Sequence, residues 1–591
     1  MRNSTLKTIL ATTAFLSVLS FAALPEIKVT TRNNAAINST SANSRGAGNC
    51  QSTNTYNHKP YIAMQLTLTD ASNPRNNITV TSYADSIRGR GNSTWAVDAK
   101  RPYRIKFDEK QPVFGLQKNK SWALLANYYD PTFALNAVGF ELGKRLGLPG
   151  TPNQVLVDFY LNGSYKGIYQ LTDLVQVNKG RVDIDEKEGW LVEFDYHCPS
   201  STDEIDFNTD YPNTNSGKDK LHSFIKSPED LPNQAAYQFV KDQVNQLTTT
   251  MFNKSGFPEN GYRDLVDLES FAKYMMIEMF MDNFDFNNKA GDANIGVAPA
   301  SNFIHKDKGG KIVAGPLWDL DLAAAVEINN FPKHYQTYQN PIKPKHPFHA
   351  KFFDDPVFLA KWKKNWDKHK KDFQAMTSFM DSIATAVEGS VVNNFTTQNG
   401  GNSGGSPWGG GGGCWMNCPN APTTVQAYKT EVTNLKTWWN NRINFFEQEI
   451  NKMNIDTSKD IEQTQPSSSS SPSSSSSRLS SSSSSRSSSS SSSRYSSSSR
   501  STTPIFEYSQ PQQHGMFVRG RIVNIYTQEP SSVKLSVFDL RGKTLFSGNL
   551  GTGSNITWNS EGLGISKVLM VVVEAKGESG RTYKFSGRIL P

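Results

Sequence analysis

Between Pro466 and Pro504 the chain is almost all serine, punctuated by Arg478, Arg486, Arg494 and Arg500. Such a segment lacks the apolar surface needed to offset the entropy lost on folding, so it reads as a solvated linker. It divides 591 residues, too many for one ordinary core, into a long N-terminal part and a short C-terminal module. The linker is placed at 456–504 and the module at 505–591. Within the module, Val533–Phe538, Thr544–Phe546, Val568–Val573 and Tyr583–Phe585 alternate like strands between Gly-rich turns. That pattern predicts a small β-sandwich.

The other end carries an export signal. Arg2 and Lys7 precede a mostly apolar run from Thr8 to Leu19, and Ser20-Phe21-Ala22 supplies small residues for cleavage. The run is shorter than the roughly 20 residues of a spanning helix, and no later stretch is long enough, so no membrane segment is expected in the mature chain. Residues 1–22 are read as signal peptide and 23–50, rich in Asn, Thr and Ser, as a flexible arm. Cys50, Cys198, Cys414 and Cys418 make an even set that suits disulfides in an exported protein, with Cys414 and Cys418 an obvious local pair. The formal net charge is +8, but much of the excess lies in the serine tract and the C-terminal segment. Nucleic acid is therefore not the expected partner.

Residues 51–455 mix both periodicities and form the candidate functional domain. Tyr61–Thr69 and Tyr103–Phe107 are strand-like. Val155–Leu161 and Tyr165–Leu171 flank Asn162-Gly163, a strong hairpin signal because both turn residues tolerate positive φ. Asp130-Pro131 is expected to open a helix, with the aspartate as cap, proline at the first helical position and Phe133 through Leu146 at helical spacing. Phe271–Met281 and Val425–Met453 read as further helices, the second with one apolar face. Strands, a helix, a hairpin and then mostly helices predict an α+β domain with a sheet-rich N-lobe and a helical C-lobe. Gly400–Gly413 lacks a flanking strand, a following helix and a Gly-Lys-Ser/Thr ending, so it reads as an insertion rather than a phosphate loop.

Several runs occur in a telling order. Arg88-Gly-Arg-Gly-Asn-Ser-Thr-Trp95 precedes Lys100–Phe107; then come Trp122–Ala126 with Asp130 and Asn136, Leu161–Leu171, Asn283-Phe-Asp285, and Pro316-Leu-Trp-Asp-Leu-Asp321. This succession resembles the spore-coat protein H (CotH) kinase family across about residues 60–330. The resemblance implies an atypical two-lobed protein-kinase-like fold, with ATP and Mg²⁺ (or Mn²⁺) as cofactors. It also implies transfer of the γ-phosphate to protein Ser/Thr hydroxyls, the tethered serine tract being one candidate acceptor.

The resemblance assigns Asp285 to accept the hydroxyl proton and Asp319, Asp321 and Asn288 to the metal, with Asn294 a rival for the amide. Lys106, Arg90 and Glu141 are assigned to the nucleotide. Each role has a physical rationale, because phosphoryl transfer needs positioned phosphates, charge neutralisation and an oriented nucleophile. Ile312–Leu317 reads as an apolar strand delivering Asp319 and Asp321 at i and i+2, on one face. Hard oxygen ligands suit Mg²⁺ or Mn²⁺. Taken alone, Lys106 fits a solvated sheet face, Glu141 a solvent-facing helix position and Asp285 a turn. His197 beside Cys198 is read as a surface histidine next to a disulfide cysteine.

Val537-Phe-Asp-Leu-Arg-Gly-Lys543 and Gly562-Leu-Gly564 resemble the C-terminal sorting domains of type IX secretion cargo. Two other readings stand beside the kinase. One is a non-catalytic surface or adhesion protein that keeps the fold. The other is a polysaccharide-associated protein whose C-terminal module contacts glycan.

Overall fold

The computed structural model describes residues 23–41, 56–96, 100–200, 204–212, 220–228, 234–287, 299–328, 331–400 and 422–460, and in the C-terminal module 515–519, 522–538, 544–559, 569–577, 579 and 582–589. Residues 1–22, read above as a signal peptide, the Gly-rich insertion, the serine tract, Asn288, Asn294, Cys50, Cys414 and Cys418 lie outside them. The chain divides into two compact units, 1–479 and 480–591, and the division falls inside the serine tract. The architecture is mixed α+β.

Seven strands of the first unit close into a barrel: β1 (Glu26–Thr31), β2 (Ile62–Thr69), β3 (Ile78–Gly89), β4 (Tyr103–Gln111), β5 (Asn119–Leu125), β6 (Gln154–Leu161) and β7 (Ser164–Asp173). The spatial order is β1-β2-β3-β4-β5-β7-β6, with β1 closing in parallel on β6 and every other pairing antiparallel. Alternate residues fill the interior, as a two-residue repeat requires: Ile27 and Val29, Met64, Leu66 and Leu68, Ile105 and Phe107, Trp122 and Leu124, Val157 and Phe159.

The expected flexible arm is thus corrected over part of its length. Ile27 and Val29 bury in the core, so Glu26–Thr31 becomes the closing strand. The Asn162-Gly163 hairpin is present, with φ of 50° and 77° and Leu161 paired to Ser164. The Asn162 side chain also accepts from the Thr31 backbone N–H at 2.9 Å, tying the hairpin turn to β1.

Helix α1 runs Leu135–Leu146, four residues later than Asp130-Pro131 suggested. Asp130 does satisfy the Leu135 N–H (2.8 Å), but it also binds Thr132 N–H and hydroxyl, which builds a compact turn with Phe133 at φ 58°. Pro131 therefore lies in that turn rather than at the first helical position.

The chain also forms a second sheet, of which the sequence announced only the strand beginning at Ile312. It orders β9 (Ile205–Asn208), β10 (His222–Ser227), β8 (Trp190–Phe194), β11 (Asn302–Lys306) and β12 (Ile312–Ala314), all antiparallel. Helices α2 (Gln234–Phe252), α3 (Leu268–Phe280), α4 (Pro356–Val387), α5 (Val391–Gly400) and α6 (Val425–Lys452) complete the unit.

Helix α3 is buried on nearly every side and capped by Asp267, which accepts from Glu269 and Ser270 N–H. Its last residue, Phe280, meets Phe373 at 4.6 Å, Trp439 at 4.8 Å and Phe446 at 5.4 Å. Tilted aromatic pairs of this kind add about 0.5–1.5 kcal/mol each beyond buried area.

The C-terminal module contains β13 (Gly515–Arg519), β14 (Ile522–Phe538), β15 (Thr544–Asn559), β16 (Leu569–Gly577) and β17 (Thr582–Ile589). They form one five-stranded antiparallel sheet, β13-β14-β16-β17, with β15 also on β14. The expected alternation is there: Val533, Leu535 and Val537 bury with Val571, Val573 and Ala575. The hydrogen bonding joins all five strands into one sheet, because the 17-residue β14 is long enough to pair with three neighbours.

Candidate active site

Immediately after α3 the chain must turn sharply, and one buried arginine fixes where. Arg442 on α6 donates to the Met279 and Phe280 carbonyls (2.6 and 3.1 Å) and to those of Tyr338 and Asn340 (2.8 and 2.6 Å). It thereby satisfies carbonyls that a helix C-terminus leaves open. Burial lowers its pKa to about 10, partly offset by Asp282.

Asp282 then takes φ 51°. The Asn283 amide donates to Glu278 at 2.9 Å and reaches the Asp319 carbonyl at 3.5 Å, while its oxygen accepts from Asp285 N–H at 3.3 Å. The Asp285 carbonyl in turn accepts from Ala300 N–H (2.9 Å). Asp285 is thus set in a turn clamped from both sides.

Asp319 and Asp321 reach the same place by a route the strand argument did not foresee. The strand ends at Ala314, and Asp319 adopts φ 60°, so the two carboxylates are not presented on an extended chain. Their backbone is held by a relay of side-chain amides. Asn136 accepts from Leu320 N–H (2.8 Å) and donates to Asn127 (3.3 Å), whose own amide donates to Gln170 of β7 (2.9 Å). Gly139 on α1 lies against Leu320, where a Cβ would collide with the leucine side chain. Glycine there permits a close approach of helix to loop.

Electrostatics show which side chains face one another. Burial raises Asp321 well above the usual carboxylate range, and repulsion from Asp319, Asp285 and Asp130 adds to it while Arg90 opposes. Asp319 is raised by burial, against the pull of Arg90 and a hydrogen bond from the Ser301 hydroxyl (3.3 Å). Burial lowers Arg90, and Asp319, Asp321 and Glu193 work against that. The Arg90 guanidinium also stacks over Trp318 at 5.4 Å. Asp285, Asp319 and Arg90 therefore gather around the buried Asp321 in one cleft.

Lys106 and Glu141 are placed elsewhere. Lys106 is exposed on the outer face of β4, 5.6 Å from the Tyr61 ring. Glu141 pairs with Arg145 one helical turn on, at 2.7 Å, and not with Lys106. Neither of these two residues assigned to the nucleotide joins Arg90, because alternation along β4 turns Lys106 outward and α1 offers Glu141 a local partner.

Sequence reasoning missed an acidic and basic group on the second sheet. Asp195, just past β8, accepts from His197 backbone N–H and Nδ1 (2.8 and 2.7 Å), and its other oxygen lies 3.4 Å from Ser301 N–H. Burial works against protonation of His197, but the Asp195 carboxylate raises its pKa. Glu193 pairs with Lys226 at 3.0 Å. The available signal was the Asp-x-His spacing right after the apolar run Trp190–Phe194. Cys198 is disulfide-bonded, which removes a thiol nucleophile from consideration.

Among the described residues, no three His, Cys, Asp or Glu side chains stand together as a self-sufficient metal site. Two or three crowded carboxylates still fit a hard cation that takes its other oxygens from water and substrate phosphates, which is how Mg²⁺ is commonly held. No helix among the described residues is long and apolar enough to cross a membrane.

The CotH kinase protein family matches residues 87–446, more than half of the chain. The chain belongs to that family. The match spans β3 of the barrel through α6, and so contains every residue of the carboxylate cleft. No curated protein matches the chain.

Proposed function

We infer that this CotH-family chain is an exported, ATP-dependent kinase that transfers the γ-phosphoryl group to Ser/Thr hydroxyls of protein. The observation that carries the reading is the convergence of Asp285, Asp319 and Arg90 on the buried Asp321. In this reading the barrel is the N-lobe and the helical part the C-lobe of a two-lobed kinase-like domain. Asp285 takes the proton of the acceptor hydroxyl as its oxygen bonds to the γ-phosphorus and the bond to the bridging oxygen breaks, leaving ADP. Asp319 and Asp321, with Asn288 completing the set, would hold Mg²⁺ or Mn²⁺, which supplies charge neutralisation at the phosphates. Arg90 faces the phosphates and takes the cationic role first assigned to Lys106. Export through the N-terminal signal, a C-terminal sorting module and the serine tract as acceptor belong to the same proposal.

One observation favours a second reading, a non-catalytic surface protein that keeps the fold: Lys106 and Glu141 stand apart. Incubating the purified chain with γ-labelled ATP and Mg²⁺ or Mn²⁺, beside Asp285→Ala and Asp319→Ala, separates the two. The kinase reading expects label on protein and a drop of about 10²–10³-fold or more in each variant. Equal labelling of all three, or none together with no nucleotide-induced rise in Tm, refutes it.

A further inference from the structure

A cavity of about 320 Å³ opens where the β6–β7 hairpin meets α5. It is lined by Asp158, Tyr160 and Tyr165 from the hairpin and by Ser390, Asn393, Thr396 and Thr397 around the helix. It shares no lining residue with the carboxylate cleft. Its walls come from segments more than 220 residues apart in sequence, and they are held rigidly. Asn394 accepts from the buried Lys100 ammonium at 2.7 Å and from Ile168 N–H at 2.9 Å, which locks α5 onto β7. Gly167, at φ 112°, allows that approach, since a Cβ there would run into Asn394.

We propose that this cavity binds a neutral carbohydrate of one or two pyranose rings. Its volume is at the low end of ligand cavities, roughly 300–1,000 Å³, which suits so small a ligand. The two tyrosines, their ring centroids 5.1 Å apart and tilted by 55°, put aromatic surface into the lining, against which sugar C–H groups can pack. The remaining lining is a fixed carboxylate, hydroxyls and an amide, which can both donate to and accept from vicinal hydroxyls.

Charge argues against the other ligands of this size. Among the described residues no Lys or Arg lines the cavity, so a phosphate or uronate finds no counter-charge in that lining. Lys28, though 5.1 Å from the Tyr160 ring, is engaged by Glu26 at 2.6 Å. A cation is disfavoured because Asp158 is already served. Its two oxygens accept from Tyr165 (2.7 Å) and Ser390 (2.6 Å), and Lys100 acts on it electrostatically from behind. Burial and the nearby carboxylate also keep the Tyr165 hydroxyl protonated, so it stays a neutral donor.

The test is saturation-transfer NMR on the full chain with glucose, N-acetylglucosamine, cellobiose and chitobiose, with glucose 6-phosphate and choline as contrasting probes. An Asn393→Ala/Thr396→Ala variant removes two rim contacts at exposed helical positions, and Tyr165→Phe removes one hydroxyl. The proposal expects transfer from at least one neutral sugar. That signal should fall at least fivefold in the rim variant at unchanged Tm, and should be unaffected by Asp319→Ala. Absence of transfer to every neutral sugar, equal transfer in the rim variant, or preference for choline or the phosphosugar overturns it. None of these outcomes depends on whether the chain phosphorylates protein.

Discussion

The barrel and the acidic segment between Glu278 and Ala324 belong to the same unit and are held together in opposite ways. The barrel rests on many interchangeable apolar contacts, and its strands repeat inward residues with period two. The acidic segment has left-handed backbone at Asp282, Ser301, Asp319 and Ala324, carboxylates at 285 and 319 that repel Asp321, and specific hydrogen bonds made with Asn283, Asn136 and Arg442. Strained backbone and crowded like charges persist only where the surroundings over-determine them. The barrel and helices supply stability; the segment between them spends part of it on holding groups that would otherwise separate.

Substitutions can break that contrast. Trp122→Ala empties a fully buried site in the barrel core and should lower unfolding free energy by about 3–5 kcal/mol in urea titrations. The folded fraction should keep its nucleotide-dependent shift in Tm. Arg442→Ala removes a side-chain donor from four carbonyls and should cost about 3–4 kcal/mol. Here the loss should include the nucleotide-dependent shift, because the turn carrying Asp285 loses its anchor. Asp319→Asn should do the reverse. Phosphoryl transfer should drop about 10²–10³-fold while urea stability holds or rises, since one member of a repelling set is neutralised.

Two smaller effects sharpen the comparison. Burial raises the Glu278 pKa to about 8, with Asp319 adding to it and hydrogen bonds from Asn283 and Tyr274 opposing. The folded state therefore holds a proton that the unfolded chain releases near pH 4.5. Stability from this group is complete below that pH and is lost as pH rises toward 8, at about 1.4 kcal/mol per pH unit. Glu278→Gln should flatten that slope in urea titrations at pH 5, 6, 7 and 8. A variant slope equal to the wild type's counts against the assignment. Lys106→Ala, on the exposed barrel face, should change stability by less than about 0.5 kcal/mol and leave phosphoryl transfer intact. A large loss of activity would return Lys106 to the nucleotide role.

Much of the fold was legible where one residue's environment follows from its neighbours in sequence. Asn162-Gly163 dictated the hairpin, and Phe271–Met281 and Val425–Met453 read as the helices found at Leu268–Phe280 and Val425–Lys452. Illegible were the strand role of Glu26–Thr31, whose only apolar inward residues are Ile27 and Val29, and the second sheet apart from its strand at Ile312, since its strands are three to six residues long and separated by up to 74. Among site residues, Asp285, Asp319 and Asp321 were recognisable by motif, yet the reason offered for the last two was wrong in geometry. Asp195 and His197 carried too short a pattern to stand out from a surface loop.

The chemistry available was written in the residue types: three acidic positions in two short motifs, an arginine-rich turn before Trp95, and a serine tract that cannot fold alone. Which cation meets those acids was decided only in three dimensions. Strand alternation sends Lys106 to solvent, whereas Arg90, beyond the end of β3, is carried into the cleft. Local periodicity sets which way a side chain points from its own element. Closure of the barrel against the helices sets what it then faces.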